Sequence, residues 1–284
     1  MKLNIAVQKK GRMSQDSIDL LKSCGLKFSN SGKGLIAQSR GFPANIYYLR
    51  DDDSPDYVED GIADVGIVGL HVVQEGQNEV SVSKKLGFSR CRLSIAIPRN
   101  ETYGGISDLD GRGIATSYPV ILKEYLDGHG VKARIHTISG SVEIAPGIGL
   151  ADGICDIVST GSTLLSNGLR DVEKVMESEA VLISHRGMND EKRDLLEKLI
   201  FRIDAVQKAA QSKYILLNAP NENLDKIVEL LPGMKSPSIL PLAEEGWSSV
   251  HSVVDEEDFW EVIDQLKENG AESLLVGPIE KMIL

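Results

Sequence analysis

Leu150–Leu169, LADGICDIVSTGSTLLSNGL, joins a strand, a turn of small hydroxyl residues and the start of a helix. Ile154, Cys155, Ile157 and Val158 form an apolar run long enough for a buried strand, interrupted by Asp156. Ser159, Thr160, Gly161, Ser162 and Thr163 follow, and Leu164-Leu165 resume an apolar pattern that opens a helix. Unpaired N–H groups at a helix start, their partial positive charge and nearby hydroxyls together suit an anion. Gly161 lets the backbone approach a phosphate with no Cβ in the way. Asp156 is then placed to accept hydrogen bonds from sugar hydroxyls or to hold a metal ion. Taken alone, such a Ser/Thr/Gly cluster is more often an ordinary capped turn. It also matches no familiar phosphate loop. GxxxxGK[ST] is absent, and Gly147-Ile148-Gly149 runs into Leu-Ala-Asp, so GxGxxG lacks its third glycine.

Outward from this stretch, the N-terminal part alternates strands and helices. Lys2 to Val7 reads as a buried strand, followed by the basic turn Gln8-Lys9-Lys10-Gly11-Arg12 and a helix capped by Ser14, with Ile18, Leu21 and Cys24 on one face and Gly25 ending it. Asn45 to Leu49 is a second strand running into Arg50 and three aspartates, with Ser54 as cap and Pro55 opening a helix. Gly61 to Gly69 is a third strand with glycines at its end, where a tight turn or a ligand's close approach is expected. This rhythm predicts βαβ units in a mostly parallel sheet, with ligands at the carboxyl ends of the strands. A second lobe begins near Ser89, with strands at 91–97, 113–116 and 131–138, a helix at 118–126 and a helix capped by Ser141. Glu143, in that helix's first turn, reads on spacing alone as complementing the dipole. Ala180 to Ser184 returns as a strand, and Asp190 to about Gln211 is a long amphipathic helix.

After Gln211 the rhythm changes. Strands at 213–218, 238–242, 247–254 and 273–276, with helices at 222–231 and from an Asp255 cap to Glu268, give the order βαββαβ of a ferredoxin-like domain. Its turns carry no convincing acid, base or nucleophile. It reads as regulatory or structural.

Composition sets the bounds. At 284 residues, 42% of them hydrophobic, the chain suits a globular protein of two or three domains. The formal charge of −11 argues against general nucleic-acid binding, which needs a basic face. Polyphosphate substrates would therefore be met by local Lys and Arg and by Mg²⁺, which reaches such sites through one or two carboxylates and the phosphates themselves. No cluster suggests a metal held by the protein alone. Cys24, Cys91 and Cys155 are odd in number and widely spaced, as in a reduced cytoplasmic protein. The apolar run after Met1 is too short for a signal peptide, and none approaches a membrane span. The five histidines are scattered, none at ligand spacing with another.

In GRGIATSYP at 111–119, ISGSVEIAP at 138–146 and ADGICDIVSTGSTLLSNGL at 151–169 the chain resembles the long-form ATP phosphoribosyltransferases of histidine biosynthesis. LRDDD at 49–53, ADVGIVG at 63–69, QSKYILLNAP at 211–220 and SPSILPL at 236–242 extend the likeness over essentially the whole chain. The resemblance implies an α/β fold: a two-lobed catalytic body like a periplasmic binding protein, plus a C-terminal ferredoxin-like (ACT-like) domain. Lobe I would span 1–88, completed by 180–210; lobe II, 89–179; the regulatory domain, 211–284. The implied reaction joins N1 of ATP to C1 of phosphoribosyl pyrophosphate, with Mg²⁺, and is feedback-inhibited by L-histidine. By the same likeness Ser159, Thr160, Gly161, Ser162 and Thr163 hold the donor phosphate, and Asp156 faces the ribose hydroxyls. Asp156 and Glu143 are the candidate catalytic residues. Lys9, Gly11, Arg12, Arg50, Asp64, Gly66 and Gly69 match the ATP face. Asn218, Met234, Ser236, Ser238 and Ser273 match the histidine site; Asn218 stands where some relatives carry an acid, which implies weaker inhibition. A cytoplasmic homo-oligomer, dimer or hexamer, is expected. The rival reading is a non-catalytic sensor using the same cleft.

Overall fold

The computed structural model describes residues 1–29, 34–231 and 236–283. It divides into two compact units, Met1–Leu196 and Glu197–Leu284. Each is described by itself.

The first unit is built on two sheets. One contains β1 (Leu3–Gln8), β2 (Ile36–Gln38), β3 (Ala44–Leu49), β4 (Val65–Gly69), β5 (Val80–Lys85) and, from later in the chain, a strand at Ala180–His185. Helices α1 (Arg12–Ser23), α2 (Ser54–Glu59) and α3 (Leu70–Gly76) connect them. The other sheet contains β6 (Cys91–Pro98), β7 (Gly113–Thr116), β8 (Arg134–Thr137), β9 (Gly153–Val158) and β10 (Leu169–Ser178), with α4 (Pro119–Gly128) and the single turn α5 (Ser162–Ser166). The Ala180–His185 strand is β11, and α6 (Asp190–Ala210) follows. The sheet orders are β2-β3-β1-β4-β11-β5 and β10-β6-β9-β7-β8.

Neither sheet is mostly parallel. β3, β1 and β4 run parallel, but β2, β11 and β5 pair antiparallel; β8, β7 and β9 run parallel, with β6 and β10 antiparallel. The reason lies in the two crossovers. The chain leaves the first sheet after β5 and re-enters at β11, so β11 runs against both β4 and β5, as β6 runs against both β9 and β10 in the second sheet. Leu86 N–H donates to Ala180 O and Ala180 N–H to Phe88 O, at 2.9 and 3.0 Å, tying the crossovers side by side.

Central strands are apolar throughout because both faces are covered. Val65–Gly69 is buried at every position. Val68 packs with Ala6, Val58, Val73 and Ile183, while Leu93, Ile95, Ile114 and Leu122 fill the second lobe.

Several expected caps are displaced. α1 begins at Arg12, because Gly11 at φ +103° turns the chain straight from strand into helix; Ser14 is buried within the first turn. The Ser54 hydroxyl donates to Arg50 O at 2.8 Å and so lies inside α2, behind Asp53. Ser141 adopts φ +51°, outside the extended geometry an N-cap needs, and leads only into a 3₁₀ turn at Val142–Ile144.

In the second unit, β12 (Ser212–Pro220), α7 (Leu224–Leu230), β13 (Ser238–Pro241), β14 (Trp247–Asp255), α8 (Phe259–Glu268) and β15 (Glu272–Pro278) follow in the order βαββαβ. The antiparallel sheet order β13-β14-β12-β15 is the ferredoxin-like one. Ile215, Leu217, Ala219 and Val250 bury one sheet face against Ile227, Ile263 and Leu266 of the helices. Asp255 ends β14 and does not cap α8, which starts at Phe259 behind Asp258. The expected Pro232-Gly233 helix stop lies outside the described residues. Among the described residues, no helix is long and apolar enough to cross a membrane.

Candidate active site

Strand register places the candidate residues. Gln8 pairs with Leu49 and Val7 with Ile67, so Lys9, Arg50 and Gly69 stand level at the carboxyl edge of three adjacent parallel strands. Gly69 is needed there because a Cβ would collide with the His71 ring. Asp64 belongs elsewhere. It precedes β4 at the opposite edge, accepts Asn4 N–H at 2.7 Å and pairs with Lys192 Nζ at 2.5 Å. That part-buried pair engages Asp64 at the edge opposite Lys9, Arg50 and Gly69, about 16 Å from Gly69 along the strand. Gly66 is likewise a packing residue: a Cβ would meet Val58 at 3.1 Å and Ile183 at 3.3 Å.

In the second lobe, Val142, Ala145, Val158 and Leu164 share one small core. That core mounts the 3₁₀ turn bearing Glu143 and the turn Ser159–Thr163 on a common base. Gly161 precedes α5 at φ +80°, a conformation that favours glycine, and the Thr160 and Ser162 hydroxyls lie 3.1 Å apart. Because α5 is a single turn, the seat is made by the turn's own amides and hydroxyls more than by a long helix dipole. Arg12, Glu143, Asp156 and Ser159–Thr163 line one cavity of about 180 Å³. Arg12, expected on the ATP face, therefore shares a cavity with the Ser159–Thr163 turn of the other lobe.

A larger cavity of about 920 Å³ is lined by Asp52, Glu75, Ser117, Tyr118, Thr137, Gly140 and again Asp156, among others. Asp156 thus forms a wall of both cavities. Burial holds its carboxyl above the usual range; the Ile157 N–H on Oδ1 opposes this and the Glu143 charge adds to it. Burial, then Asp156 and Asp52, push the Tyr118 phenol up, which keeps it a proton donor. His71, whose ring meets Tyr118 edge-on at 5.5 Å, is lowered to about 4 by burial and stays neutral at physiological pH. Its Nδ1 lies 2.8 Å from Ser178 Oγ, near the crossovers.

Asp52, Glu75 and Tyr118 were not legible as site residues. Tyr118 reads as a helix start, and Glu75 carries no local signal. No group of three or more His, Cys, Asp or Glu side chains forms a metal site among the described residues. None of the three cysteines forms a disulfide, and Cys24 and Cys155 are buried.

Asp51 has a buried Oδ1 with no hydrogen-bond partner among the described residues. Burial, then the neighbouring Asp52, raises its carboxyl to about 6. The folded state therefore holds this proton more tightly than the unfolded chain does, and the protein loses stability as pH rises from the ordinary carboxylate range through about 6. Asp51→Asn should raise stability above pH 7 by ~2 kcal/mol, with the gap closing near pH 4. Urea denaturation at the two pH values reads this directly. A variant less stable than wild type above pH 7 contradicts it.

In the second unit, Asn218 pairs with Ser249 on β14 and with Glu272 on β15, next to the bulge that holds Ser273 at φ +52°. Ser238 pairs with His251, on the far side of β14, roughly 12 Å from Asn218 by strand spacing. Asn218 and Ser273 are therefore brought together, while Ser236 and Ser238 lie two strands away. Met234 is outside the described residues.

Two lobes, a hydroxyl-lined turn and a wider cavity beside it define a two-lobed α/β body, followed along the chain by a ferredoxin-like unit. The family model described as "ATP phosphoribosyltransferase" matches residues 50–205, and that described as "HisG, C-terminal domain" matches 209–281. An ATP phosphoribosyltransferase of Phocaeicola vulgatus is 56% identical over 282 residues, covering 99% of this chain and all of that protein. A solved ATP phosphoribosyl transferase (HisG:HisZ) complex from Thermotoga maritima contains a chain 27% identical, with a TM-score of 0.60, over 71% of this chain and 98% of that one. A histidine kinase sensor domain similar to periplasmic binding proteins, 13% identical at a TM-score of 0.51, covers 74% of this chain and 92% of its own; it shares the fold alone. The chain belongs to the ATP phosphoribosyltransferase family, in its long form.

Proposed function

We propose that the cleft joins C1 of phosphoribosyl pyrophosphate to N1 of ATP, releasing pyrophosphate and giving phosphoribosyl-ATP, the first step of histidine biosynthesis. The observation that carries this reading is the position of Asp156, shared by a seat sized for a phosphate and a cleft sized for a nucleotide. Thr160, Gly161, Ser162 and Thr163 hold the 5-phosphate through amides and hydroxyls. Asp156 accepts the ribose hydroxyls and faces the positive charge that builds at C1. The N1 lone pair forms the new bond as the C1–O bond to pyrophosphate breaks. N1 already carries that lone pair, so no strong base is needed, and positioning and charge stabilisation supply most of the rate. Arg12, Lys9 and Arg50 meet polyphosphate charge from the first lobe. Tyr118, protonated, and Asp52 offer a donor and an acceptor to the adenine.

Glu143 and Asp156 suit Mg²⁺: one carboxylate is near enough to raise the other, and the phosphates complete the ligands. When bound, Mg²⁺ neutralises the departing pyrophosphate. Calorimetric titration with phosphoribosyl pyrophosphate tests the seat. Binding that tightens when Mg²⁺ is added supports it, and no binding under either condition overturns it.

L-histidine, as inhibitor, would occupy the second unit near Asn218 and Ser273. Glu272, opposite Asn218, offers the effector's ammonium the carboxylate that Asn218 lacks. A cytoplasmic homo-oligomer, dimer or hexamer, completes the reading, in keeping with three cysteines outside any disulfide.

A further inference from the structure

Glu75 lies in the last turn of α3, in the first lobe, yet both its carboxylate oxygens are engaged in the second. Val120 N–H donates to Oε1 at 3.0 Å and Ile121 N–H to Oε2 at 3.1 Å. These amides open α4, which starts at Pro119 and has no side-chain cap of its own. The first four N–H groups of a helix lack intrahelical partners, so Glu75 supplies from across the cleft what the local sequence does not. A carboxylate is disfavoured at the C-terminal end of its own helix and favoured at the N-terminal end of another. The placement of Glu75 therefore has its energetic rationale only through α4. Two weaker contacts run alongside, from Gln77 Nε2 to Glu124 Oε1 at 3.3 Å and between the His71 and Tyr118 rings. Glu75 and Tyr118 also line the larger cavity together.

We propose that Glu75 is a positioning residue for phosphoribosyl transfer, capping α4 from the opposite lobe and so holding the Ser117-Tyr118 wall of the cleft closed on its substrates. The proposal rests on the transfer reading. Its chemical consequence is control of water. In a loosened cleft, water attacks C1, the C1–O bond to pyrophosphate breaks, and ribose 5-phosphate, pyrophosphate and a proton to solvent result. Closure leaves N1 of ATP as the only nucleophile in reach.

Glu75→Ala should raise KM for ATP by roughly 10-fold, in line with the loss of a charged helix cap. It should change kcat less, and release more pyrophosphate than phosphoribosyl-ATP. Glu75→Gln keeps the length and one acceptor but loses the charge and the second acceptor, so it should fall between. A lower Tm with unchanged KM and an unchanged product ratio in both variants would overturn the proposal, since a merely structural cap does that. Hydrogen exchange on the wild type needs no variant and no turnover. Slow exchange at Val120 and Ile121 without substrates supports the latch; exchange as fast as at an unpaired helix start overturns it. Wild type that makes no phosphoribosyl-ATP would instead sink the transfer reading, while the exchange result would still stand or fall by itself.

Discussion

Gly161→Val should lower kcat/KM for phosphoribosyl pyrophosphate by roughly 10³-fold, through loss of several charge-assisted phosphate contacts. The position has φ +80°, which a β-branched residue adopts only with strain. Space is not the obstacle, for a Cβ would find its nearest neighbour, Val158 Cγ1, at 3.9 Å. The substitution therefore acts by turning the amides of residues 160–163 away from the phosphate and by filling its line of approach. Leu164 stays anchored in the core that holds Val158, so the fold should tolerate the change. Donor Kd should rise with little loss in Tm, measured by calorimetry and thermal unfolding. An unchanged Kd would contradict the placement of the phosphate.

Arg12→Ala should lower kcat by about 10²- to 10³-fold, the scale seen when one preorganised group facing transition-state charge is removed. Arg12 lines the proposed donor seat from the opposite lobe, and among the described residues it is the only cationic side chain lining that cavity. Both other ionisable groups lining it, Glu143 and Asp156, are acids, so without Arg12 that cavity keeps carboxylates and no cationic side chain among the described residues. Arg12 begins α1 directly after Gly11 at φ +103°, at the turn that follows β1. Arg12→Lys should recover activity only in part, because an ammonium lacks the planar fork that grips a phosphate with two bonds. Single-turnover rates with saturating substrates measure the effect. Full activity in Arg12→Ala would contradict the role.

The parts of this fold that show in sequence are those where one residue type does one physical job. Val65–Gly69 reads as a buried strand because every position is apolar, and Ser159–Thr163 reads as an anion seat because small hydroxyls cluster around a glycine. The βαββαβ order of the second unit is legible because short apolar runs and two amphipathic stretches follow one another in that order, with alternation clearest in β12 and β14. β10 was missed because Arg170, Glu173, Lys174 and Glu177 and two register shifts break its alternation. β2 is too short and exposed to leave a pattern, whereas Val80-Ser81-Val82-Ser83 of β5 does alternate. The reversed strands β11 and β6 follow from crossovers at 86–90 and at Glu179, which no local window contains. Among site residues, Asp64 and Gly66 sit in a glycine-rich string but serve Lys192 and Ile183. Glu75 reaches a helix 45 residues further along, and only the folded chain brings them together.

The central claim is that Asp156 stands between a donor phosphate and a nucleotide. Its most direct test is product formation from ATP, phosphoribosyl pyrophosphate and Mg²⁺, with pyrophosphatase to pull the equilibrium and with or without L-histidine. The account predicts phosphoribosyl-ATP that requires both substrates and falls when histidine is added. No phosphoribosyl-ATP, despite measurable donor binding, would contradict it and leave a two-lobed sensor in its place.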